Sequence, residues 1–516
     1  MAGRVLVVGI DGVGWNVIKT LMSDGIMMNF RKLIKEGVKA TLMSTIPPLS
    51  GPAWFALSTG INPIRRGIID LVYRRSPNSY EVVPLSSAEF RGRAIWDILG
   101  RKGWRVGIVN YPMLWPPYPV NGFMISGFGS PGPKGITYPP NLEDELNELV
   151  NGYEVSTSYL DDEQLMVDLK RILLKREKVI YYMAKEREWD FLFMVFSCTD
   201  WLQHYFWKHI DPEHPLHGKR SNRYAIFFKW VFKRIDTILG QLLHLIDENT
   251  TMLVLSDHGF QRLNGAFNLA RWLELMGYIV YRNPWLLRGL RLFMQIPYAS
   301  VIRTKVRRMA KTNSTNFSSF IEPDLRKSKS TVLEHSSPLG AIYLIERQNA
   351  FEKDKIIKRL GAFFTLYGLK ARFYDVSALC EKEFRFRVPD IMFSLENWSY
   401  AIVNRPDSPI LLTKKPWRLS PHSGTHEPRG IFVAKGPFLR SGADIGTIRA
   451  VDVVPTLLHL LNISIPVFMD GIVRKDVFEG ESPPAKRPVF KALRMAYLRQ
   501  KIRRLVRRAR TKMKIS

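Results

Sequence analysis

Residues 5–11 of the chain read VLVVGID, and two later apolar runs end in the same way, FLFMVFSCTD at residues 191–200 and MLVLSDH at residues 252–258. Uninterrupted apolar runs of this length are typical of strands that are buried on both faces of a parallel sheet. Such sheets bind ligands just beyond the carboxyl ends of their strands. The aspartates Asp11, Asp200 and Asp257 are therefore expected to share one site, and a site of this kind favours a metal.

Composition sets the broad class of the protein. The chain has 516 residues, of which 46% are hydrophobic and 24% are charged, as in an ordinary globular protein. Its two cysteines, Cys198 and Cys380, are too few for a disulfide framework or a cysteine zinc site. The first apolar run is too short for a signal peptide, and the later runs are interrupted before the roughly 18–20 residues that a transmembrane helix needs. We therefore expect a soluble or peripheral protein of the cytoplasm.

Charge is the unusual feature of the composition, with a formal net charge of +29. Residues 482–516 hold thirteen lysines and arginines and no acidic residue, and a second acid-free stretch, residues 275–321, holds eight. Such a balance favours anionic partners, which are phosphates, anionic lipid surfaces or nucleic acid. The alternative is a solvated basic tail without a specific partner.

The order of the patterns predicts an α/β fold with a doubly wound, mostly parallel sheet flanked by helices. Further strands are expected at residues 105–110 and 431–437, and helical periodicity covers residues 15–37, 161–187, 223–247 and 453–461. The alternation of helix and strand is lost from residue 275 to about residue 410. The predicted organisation is a core at residues 1–274 and 411–480, an inserted cap region at residues 275–410 and a basic amphipathic tail at residues 481–516.

Histidines accompany the aspartates at metal-ligand spacing. Asp200 and His204 are four residues apart, so both face one side of a helix that starts at a strand exit. Asp257 and His258 lie at a tight corner before Gly259. The two resulting ligand sets are Asp200, His204 and His426, and Asp11, Asp257 and His258. Carboxylate and imidazole ligands suit Zn²⁺, with Mn²⁺ and Fe²⁺ as alternatives. Two such ions about 3.5–4 Å apart hold both the attacking and the leaving oxygen in phosphoryl transfer.

Each of these features also has a structural alternative. An Asp-His pair after a strand is more often a turn or a helix cap than a pair of metal ligands. Other histidines are substitutes with less suitable positions: His209, His214, His217 and His422. Several such features fall at predicted strand exits in one chain, and this agreement favours the metal site.

A candidate nucleophile lies in residues 45–60, TIPPLSGPAWFALSTG. Ser50 stands between two prolines, beside Gly51, where a helix that runs to Thr59 should begin. The amides of a helix N-terminus favour anions, and glycine allows the backbone to approach a phosphate closely. The alternative is that Ser50 only caps the helix. Ser58 and Thr59 are weaker candidates because they fall late in the same helix.

Taken in chain order, these motifs resemble the alkaline phosphatase superfamily and, within it, the type I phosphodiesterase/nucleotide pyrophosphatase family, especially its prokaryotic members. The resemblance covers roughly residues 1–475. Its motifs are Asp11-Gly12, Ser50-Gly51-Pro52-Ala53-Trp54, Asn110-Tyr111-Pro112, Asp200 with His204, Asp257-His258-Gly259, Gly424-Thr425-His426 and Asp452-Val453-Val454-Pro455.

The resemblance implies hydrolysis of phosphate esters, of phosphodiester or nucleotide pyrophosphate type, by two metal ions and a covalent phosphoserine intermediate. Asp200, His204 and His426 would hold one ion. The other ion would be held by Asp11, Asp257 and His258, and Ser50 would bridge to it as the catalytic nucleophile. Gly51 and Asn110 are the predicted substrate-binding residues.

The chain departs from the family pattern at three places. Ser50 stands where the nucleotide pyrophosphatases usually carry threonine, and Ala53 where they carry an asparagine that holds a phosphate oxygen. Arg65-Arg66-Gly67 replaces a common His-Gly pair. The second departure weakens the case for a nucleotide substrate. The absence of a cysteine near Ser50 argues against the sulfatase branch.

The tail and the net charge keep two other functions open. Residues 498–513 place apolar side chains on one helical stripe and basic side chains around it, a pattern of interfacial helices that bind anionic lipid. Nucleic acid is the less favoured partner. The first alternative function is a phospho-group transferase that acts on lipid or glycan acceptors at a membrane surface. The second is a non-catalytic basic protein that binds membranes or nucleic acid.

Overall fold

A computed structural model describes residues 3–157, 161–218, 222–293, 322–347 and 349–492 of the chain. The strands are Val5–Ile10 (β1), Val38–Met43 (β2), Val72–Arg74 (β3), Val82–Pro84 (β4), Val106–Tyr111 (β5), Gly122–Ser126 (β6), Thr137–Tyr138 (β7), Phe191–Phe196 (β8), Thr251–Leu255 (β9), Gly259–Arg262 (β10), Gly265–Asn268 (β11), Ser330–Thr331 (β12), Gly340–Leu344 (β13), Ala371–Tyr374 (β14), Ile391–Leu395 (β15), Tyr400–Val403 (β16), Leu412–Thr413 (β17), Gly424–Glu427 (β18), Arg429–Lys435 (β19) and Ala443–Arg449 (β20).

In the described part of the chain, most α-helices fall in sequence between strands of the main sheet. They are Trp15–Ser23 (α1), Met28–Glu36 (α2), Ser50–Thr59 (α3), Ser87–Phe90 (α4), Ile95–Gly100 (α5), Leu142–Val150 (α6), Asp162–Glu186 (α7), Cys198–Ile210 (α8), Arg223–Leu245 (α9), Leu269–Leu275 (α10), Pro284–Phe293 (α11), Ala350–Leu366 (α12), Val453–Leu460 (α13) and Pro483–Lys486 (α14).

The main sheet has nine strands in the order β20-β2-β19-β9-β1-β8-β5-β6-β7. The five strands from β9 to β6 run parallel, whereas β19 and β7 run antiparallel to their neighbours. The side chains of β1 alternate between two apolar layers: Leu6, Val8 and Ile10 pack into one face, and Val5 and Val7 into the other. The predicted doubly wound, mostly parallel α/β fold is therefore confirmed.

The helical segment predicted at residues 15–37 is two helices, α1 and α2, rather than one. Between them Gly25 adopts a φ of 71°, in the left-handed region that an L side chain rarely enters. Apolar periodicity continues across this break because both helices pack on the same face of the sheet. The apolar periodicity therefore predicted helical structure in this segment but did not reveal the turn at Gly25.

The segment predicted as an inserted cap region contains a smaller sheet, in the order β12-β13-β15-β14, beside α12. Its side chains Ile342, Phe364 and Phe393 belong to an apolar cluster that also contains Phe267 and Trp272 from before residue 275. A second cluster joins this region to the core by packing Leu49, next to Ser50, with Tyr343. The domain boundaries at residues 274 and 410 stay predictions.

None of the helices in the described part of the chain is both long and apolar enough to span a membrane. The amphipathic stripe predicted at residues 498–513 lies outside the described residues, as does most of the acid-free stretch that ends at residue 321.

Candidate active site

The three aspartates meet at the carboxyl edge of three neighbouring strands. β1 lies between β8 and β9 and is parallel to both, with Ile10 opposite Phe196 and Gly9 opposite Leu255. Because the three strands end at the same level, the residues that follow them turn into one space. Asp11 follows β1 directly, and Gly12 then takes a φ of 74° to make the turn. The placement expected from the sequence is thus observed.

The first ligand group consists of Asp11, Asp257 and His258, which are all buried. Their ligand atoms lie within 4.8 Å of one another, and His258 Nε2 is 3.6 Å from Asp11 Oδ1 and 3.3 Å from Asp257 Oδ2. Neighbouring groups hold the outer atoms in place. The amide of Gly12 donates to Asp257 Oδ1 at 3.1 Å, and the indole of Trp54 donates to Asp11 Oδ2 at 3.0 Å.

The second ligand group consists of Asp200, His204 and His426. His204 Nε2 and His426 Nε2 are 3.0 Å apart, and Asp200 Oδ1 is 3.5 Å and 3.3 Å from them, respectively. His426 lies on β18, whose backbone passes very close to α8. At Gly424 the space is so small that a Cβ would lie 2.5 Å from the carbonyl oxygen of Gln203. The two groups are adjacent, because Asp200 Oδ1 is also 3.9 Å from His258 Nε2.

Ser50 lies at the first ligand group. Its Oγ is 3.3 Å from Asp11 Oδ1 and 3.2 Å from His258 Nε2. Leu49 occupies the N-cap position of α3, so Ser50 is the first helical residue. Its hydroxyl faces the ligand group and makes no capping bond to the helix. The geometry therefore favours the nucleophile interpretation over a helix cap. Ser58 and Thr59 instead donate hydrogen bonds back to the helix, to carbonyls of Trp54 and Phe55.

The donor atoms of both groups fit divalent cations. Burial, followed by repulsion from Asp257 and Asp200, raises the pKa of Asp11 well above its usual range, and burial also raises the pKa of Asp257. Asp200 Oδ1 and Asp257 Oδ2 are buried without a hydrogen-bond partner among the described residues. A buried carboxylate oxygen that accepts no hydrogen bond is costly, and a cation beside it would offset that cost. The imidazoles of His204 and His426 direct their Nε2 atoms at one another, as shared metal ligands do.

The other histidines have different surroundings. His209 Nε2 contacts Asp162 at 3.3 Å, and His214 Nδ1 accepts the amide of Leu216 at 3.1 Å. His422 lies closer to the candidate site, because its ring centroid is 4.3 Å from that of His204. It is not a member of either ligand group.

The two predicted substrate-binding residues differ in their placement. Gly51 packs tightly, since a Cβ there would lie 3.0 Å from the carbonyl oxygen of Asp70, and it follows Ser50 directly. Asn110 is fully buried with a φ of 58°, and its Oδ1 accepts the hydroxyl of Tyr153. The structure therefore places Gly51 directly beside Ser50 in α3, whereas Asn110 is buried at the end of β5. The binding roles of both residues stay predictions.

The unusual Arg65-Arg66-Gly67 sequence has a structural explanation. Arg65 is 2.7 Å from both Asp470 and Glu381, and Arg66 is 3.2 Å from Glu89. These ion pairs connect the segment after α3 with the C-terminal part of the core and with the inserted region. The arginines support the scaffold of the site rather than the ligand groups.

Several supporting residues were not predicted from the sequence. Thr199 donates its hydroxyl to the carbonyl of Asp11 at 2.6 Å, and Ser256 accepts the amide of Val13 at 2.7 Å. Both stand immediately before a predicted ligand, Asp200 or Asp257. That position was the only indication in the sequence of a supporting role. It is a weak one, because a hydroxyl at a strand exit can form many other hydrogen bonds.

Trp54 offers a test of how the first group is held. We expect Trp54→Phe to weaken divalent metal binding by about tenfold, because Asp11 loses the hydrogen bond that fixes its outer oxygen. Titration of the metal-free protein with Zn²⁺ measures this. Trp272→Phe is a matched control, since Trp272 is equally buried and its indole nitrogen has no hydrogen-bond partner among the described residues. An unchanged dissociation constant in Trp54→Phe would contradict the assignment.

An α/β sheet with two adjoining groups of carboxylates and imidazoles at its carboxyl edge is the architecture of the alkaline phosphatase superfamily. The family model for type I phosphodiesterase/nucleotide pyrophosphatase matches residues 5–428. The chain therefore belongs to this family, and the prediction of a phosphate-ester hydrolase is confirmed at that level. A comparison with curated proteins found no match.

Solved structures show the same fold. Human ectonucleotide pyrophosphatase/phosphodiesterase 5 has a TM-score of 0.50 at 15% identity, with 89% of this chain and 95% of that chain covered. The murine protein, in an inactive form in complex with AMP, has a TM-score of 0.50 at 16% identity, with 90% and 96% covered. At such low identity these likenesses concern the fold alone.

Proposed function

We propose that the protein hydrolyses phosphate esters, of phosphodiester or nucleotide pyrophosphate type, with two divalent cations and a covalent phosphoserine at Ser50. The observation that carries the proposal is the position of Ser50 Oγ, within 3.3 Å of two members of the first ligand group and next to the second. Family membership supports the reaction class. Zn²⁺ is the proposed ion because imidazole nitrogens and carboxylates make up both groups.

The proposed residue roles follow from the two groups. Asp11, Asp257 and His258 would hold one cation, with Ser50 as a further ligand, and Asp200, His204 and His426 would hold the other. Bound cations of this kind neutralise charge on the phosphate and make oxygen nucleophiles available at neutral pH.

The chain's own contribution is orientation. The rigid start of α3 presents Ser50 Oγ, and α3 is buried along its whole length, so the nucleophile has little freedom to move. In the first step the bond from Ser50 Oγ to phosphorus forms, the bond from phosphorus to the departing oxygen breaks, and the hydroxyl proton of Ser50 passes by way of solvent to the departing alcohol. In the second step the oxygen of water bonds to phosphorus, and Ser50 regains its hydroxyl. The amide of Gly51 is the proposed donor to a phosphate oxygen.

The direct experiment compares bis-p-nitrophenyl phosphate with p-nitrophenyl phosphate as substrates of the purified full-length protein, with Zn²⁺ or Mn²⁺ added. We expect metal-dependent turnover with a higher kcat/KM for the diester, as the family membership suggests. A reversed ratio would indicate a monoesterase. The absence of turnover with every metal would refute the hydrolase proposal.

The alternative functions, the further partners and the cellular location stay predictions. A transferase would move the phosphoryl group to an added alcohol such as glycerol, so the ratio of glycerol ester to free phosphate separates it from a hydrolase. A non-catalytic protein would give neither product. The AMP complex of the murine neighbour makes a nucleotide a candidate substrate here. Binding of the tail to an anionic membrane, binding to nucleic acid and a cytoplasmic location have no support from the described residues.

A further inference from the structure

A cavity of about 480 Å³ opens directly beside Ser50. This volume is within the usual range for sites that bind small molecules, and it exceeds what a phosphate group alone would fill. Asp200, His204 and His426 form one part of the wall, so an ester bound at the metal groups would extend its organic substituent into this space. The rest of the wall therefore bears on which substituent fits.

Hydroxyl groups line the cavity from two separate parts of the chain. Ser156 and Thr157 come from the core, just before α7, and Ser336 and Ser337 come from the inserted region. Thr157 donates its hydroxyl to Asp168 at 2.9 Å and so retains only acceptor capacity toward the cavity. The hydroxyls of Ser156 and Ser337 form no hydrogen bond within the part of the chain that the structure describes. They are free to donate to a ligand and to accept from it.

Within the described part of the chain, the cavity wall offers no positive side chain for a second phosphate. Its residues there include no lysine or arginine, and the one carboxylate is the predicted metal ligand Asp200. A pyrophosphate would have to bury additional negative charge without a partner, which is strongly unfavourable. The wall is therefore suited to an uncharged substituent.

The aromatic residues of the wall pack against one another rather than forming a slot. Phe128 and Trp201 meet edge to face, with ring centroids 5.8 Å apart and planes at 70°, and Tyr205 meets His422 at 80°. Stacking of a nucleobase between two rings requires parallel faces, and these pairs do not present them. A wall that combines aromatic side chains with several hydroxyls instead suits the mixed apolar and polar surface of a sugar or a polyol.

A buried ion pair holds the inserted half of this wall in place. Asp70 Oδ2 is 2.9 Å from His335 Nδ1 and accepts the amide of Ser336 at 2.6 Å, and Asp70 Oδ1 accepts the amide of Leu71 at 2.7 Å. Burial alone would raise the pKa of Asp70, but the hydrogen bond and charge of His335 outweigh it, so the pKa is lowered. Tyr343 contacts the other ring nitrogen of His335 at 2.9 Å. The inserted region is thus fixed next to the segment that follows α3.

From these observations we infer that the cavity recognises an uncharged sugar or polyol substituent of a phosphodiester, through the hydroxyls of Ser156 and Ser337, with Asp70 and His335 as positioning residues. The inference rests on the proposed function and specifies its substrate class. It places part of the specificity in the inserted region. Polyol phosphodiesters occur both as free compounds and as lipid headgroups, and the cavity recognises the chemistry that the two share.

The test keeps the leaving group constant and varies the other substituent. Four p-nitrophenyl phosphodiesters are compared, with myo-inositol, thymidine, choline or methyl as the second substituent, using the metal-loaded full-length protein. We expect kcat/KM for the inositol ester to exceed that of the other three by about tenfold. Ser156→Ala and Ser337→Ala should each lower it about three- to tenfold, mainly by raising KM, the usual effect of one lost hydrogen bond. The loss should be smaller for the methyl ester, whose second substituent carries no hydroxyl group.

Ser377→Ala is the matched control, because Ser377 also lies in the inserted region but bonds to Asp375 at 2.8 Å. Asp70→Asn should raise KM for the inositol ester more than it raises KM for the methyl ester. A preference for the thymidine or choline ester, or equal effects of Ser337→Ala on all four esters, would overturn the inference alone. Lack of turnover of any ester would refute the proposed function itself.

A final pair of substrates separates the two sources of the substituent. Glycerophosphoinositol in solution is compared with phosphatidylinositol in vesicles. Cleavage that depends on Ser337 supports the inference in either case and shows which source the protein uses. Cleavage of neither compound would count against it.

Discussion

Replacement of Ser50 by alanine is expected to lower kcat for bis-p-nitrophenyl phosphate by about 10⁴-fold, which corresponds to about 5.5 kcal/mol of activation free energy. The hydroxyl is 3.2 Å from His258 Nε2 and 3.3 Å from Asp11 Oδ1, and no other serine or threonine of α3 faces these groups. Without it, the reaction loses its covalent step and must use water directly. Steady-state kinetics of the metal-loaded variant measure the loss.

Two variants make this result specific. Ser50→Thr should retain activity within about tenfold, since threonine keeps the hydroxyl and is the usual nucleophile of the nucleotide pyrophosphatases that the motif resembles. Ser58→Ala removes a hydroxyl from the same buried helix, where it bonds to backbone carbonyls of the helix rather than to either ligand group, and should leave kcat nearly unchanged. Activity of Ser50→Ala within tenfold of the wild type would rule out the phosphoserine pathway.

Removal of the metal ions is expected to lower turnover at least about 10³-fold, and added Zn²⁺ should restore it. Asp257→Asn should show a similar loss that added Zn²⁺ does not restore, because a neutral amide replaces a buried carboxylate that contacts His258 at 3.3 Å. Chelation, dialysis and reconstitution, with the bound metal measured alongside the rate, provide the test.

Asp236→Asn is the matched control for this second prediction. Asp236 is also a buried aspartate, but it accepts the amides of Asn29 and Phe30 between α9 and α2, away from both ligand groups. Its replacement should lower stability without changing the metal content or the rate per folded molecule. Full activity of the wild type after complete chelation would show that the two groups serve another purpose.

The sequence predicted the architecture and the grouping of six candidate ligands because both depend on a local rule. Apolar runs such as Val5–Ile10 must be buried on both faces, and the residue after a parallel strand lies at the edge where ligands bind. Asp11, Asp200 and Asp257 each follow that rule. His204 was predicted from its helical spacing from Asp200. Such patterns span only a few consecutive residues, so they can be recognised in the sequence without knowledge of the tertiary structure.

Asn110 shows what a family motif leaves open. Its predicted role in substrate binding stays a prediction, and the structure adds that it has a positive φ and that its side chain accepts the hydroxyl of buried Tyr153. Neither the conformation nor the contact has a signature in the sequence. Tyr153 lies in a different segment, and the contact is made only after the chain has folded.

Local patterns in the chain were thus enough to predict the sheet, the candidate nucleophile and the residues expected at the carboxyl edge. How the candidate site is supported, and which side chains line the cavity beside it, depended on tertiary packing. Trp54 contacts Asp11 across 43 residues of chain, and His335 contacts Asp70 across 265. Such contacts depend on how separate elements pack against one another, and side-chain type alone does not specify the partner. The hydroxyls of Ser156 and Ser337 become a binding surface only because folding brings two distant segments to the same cavity.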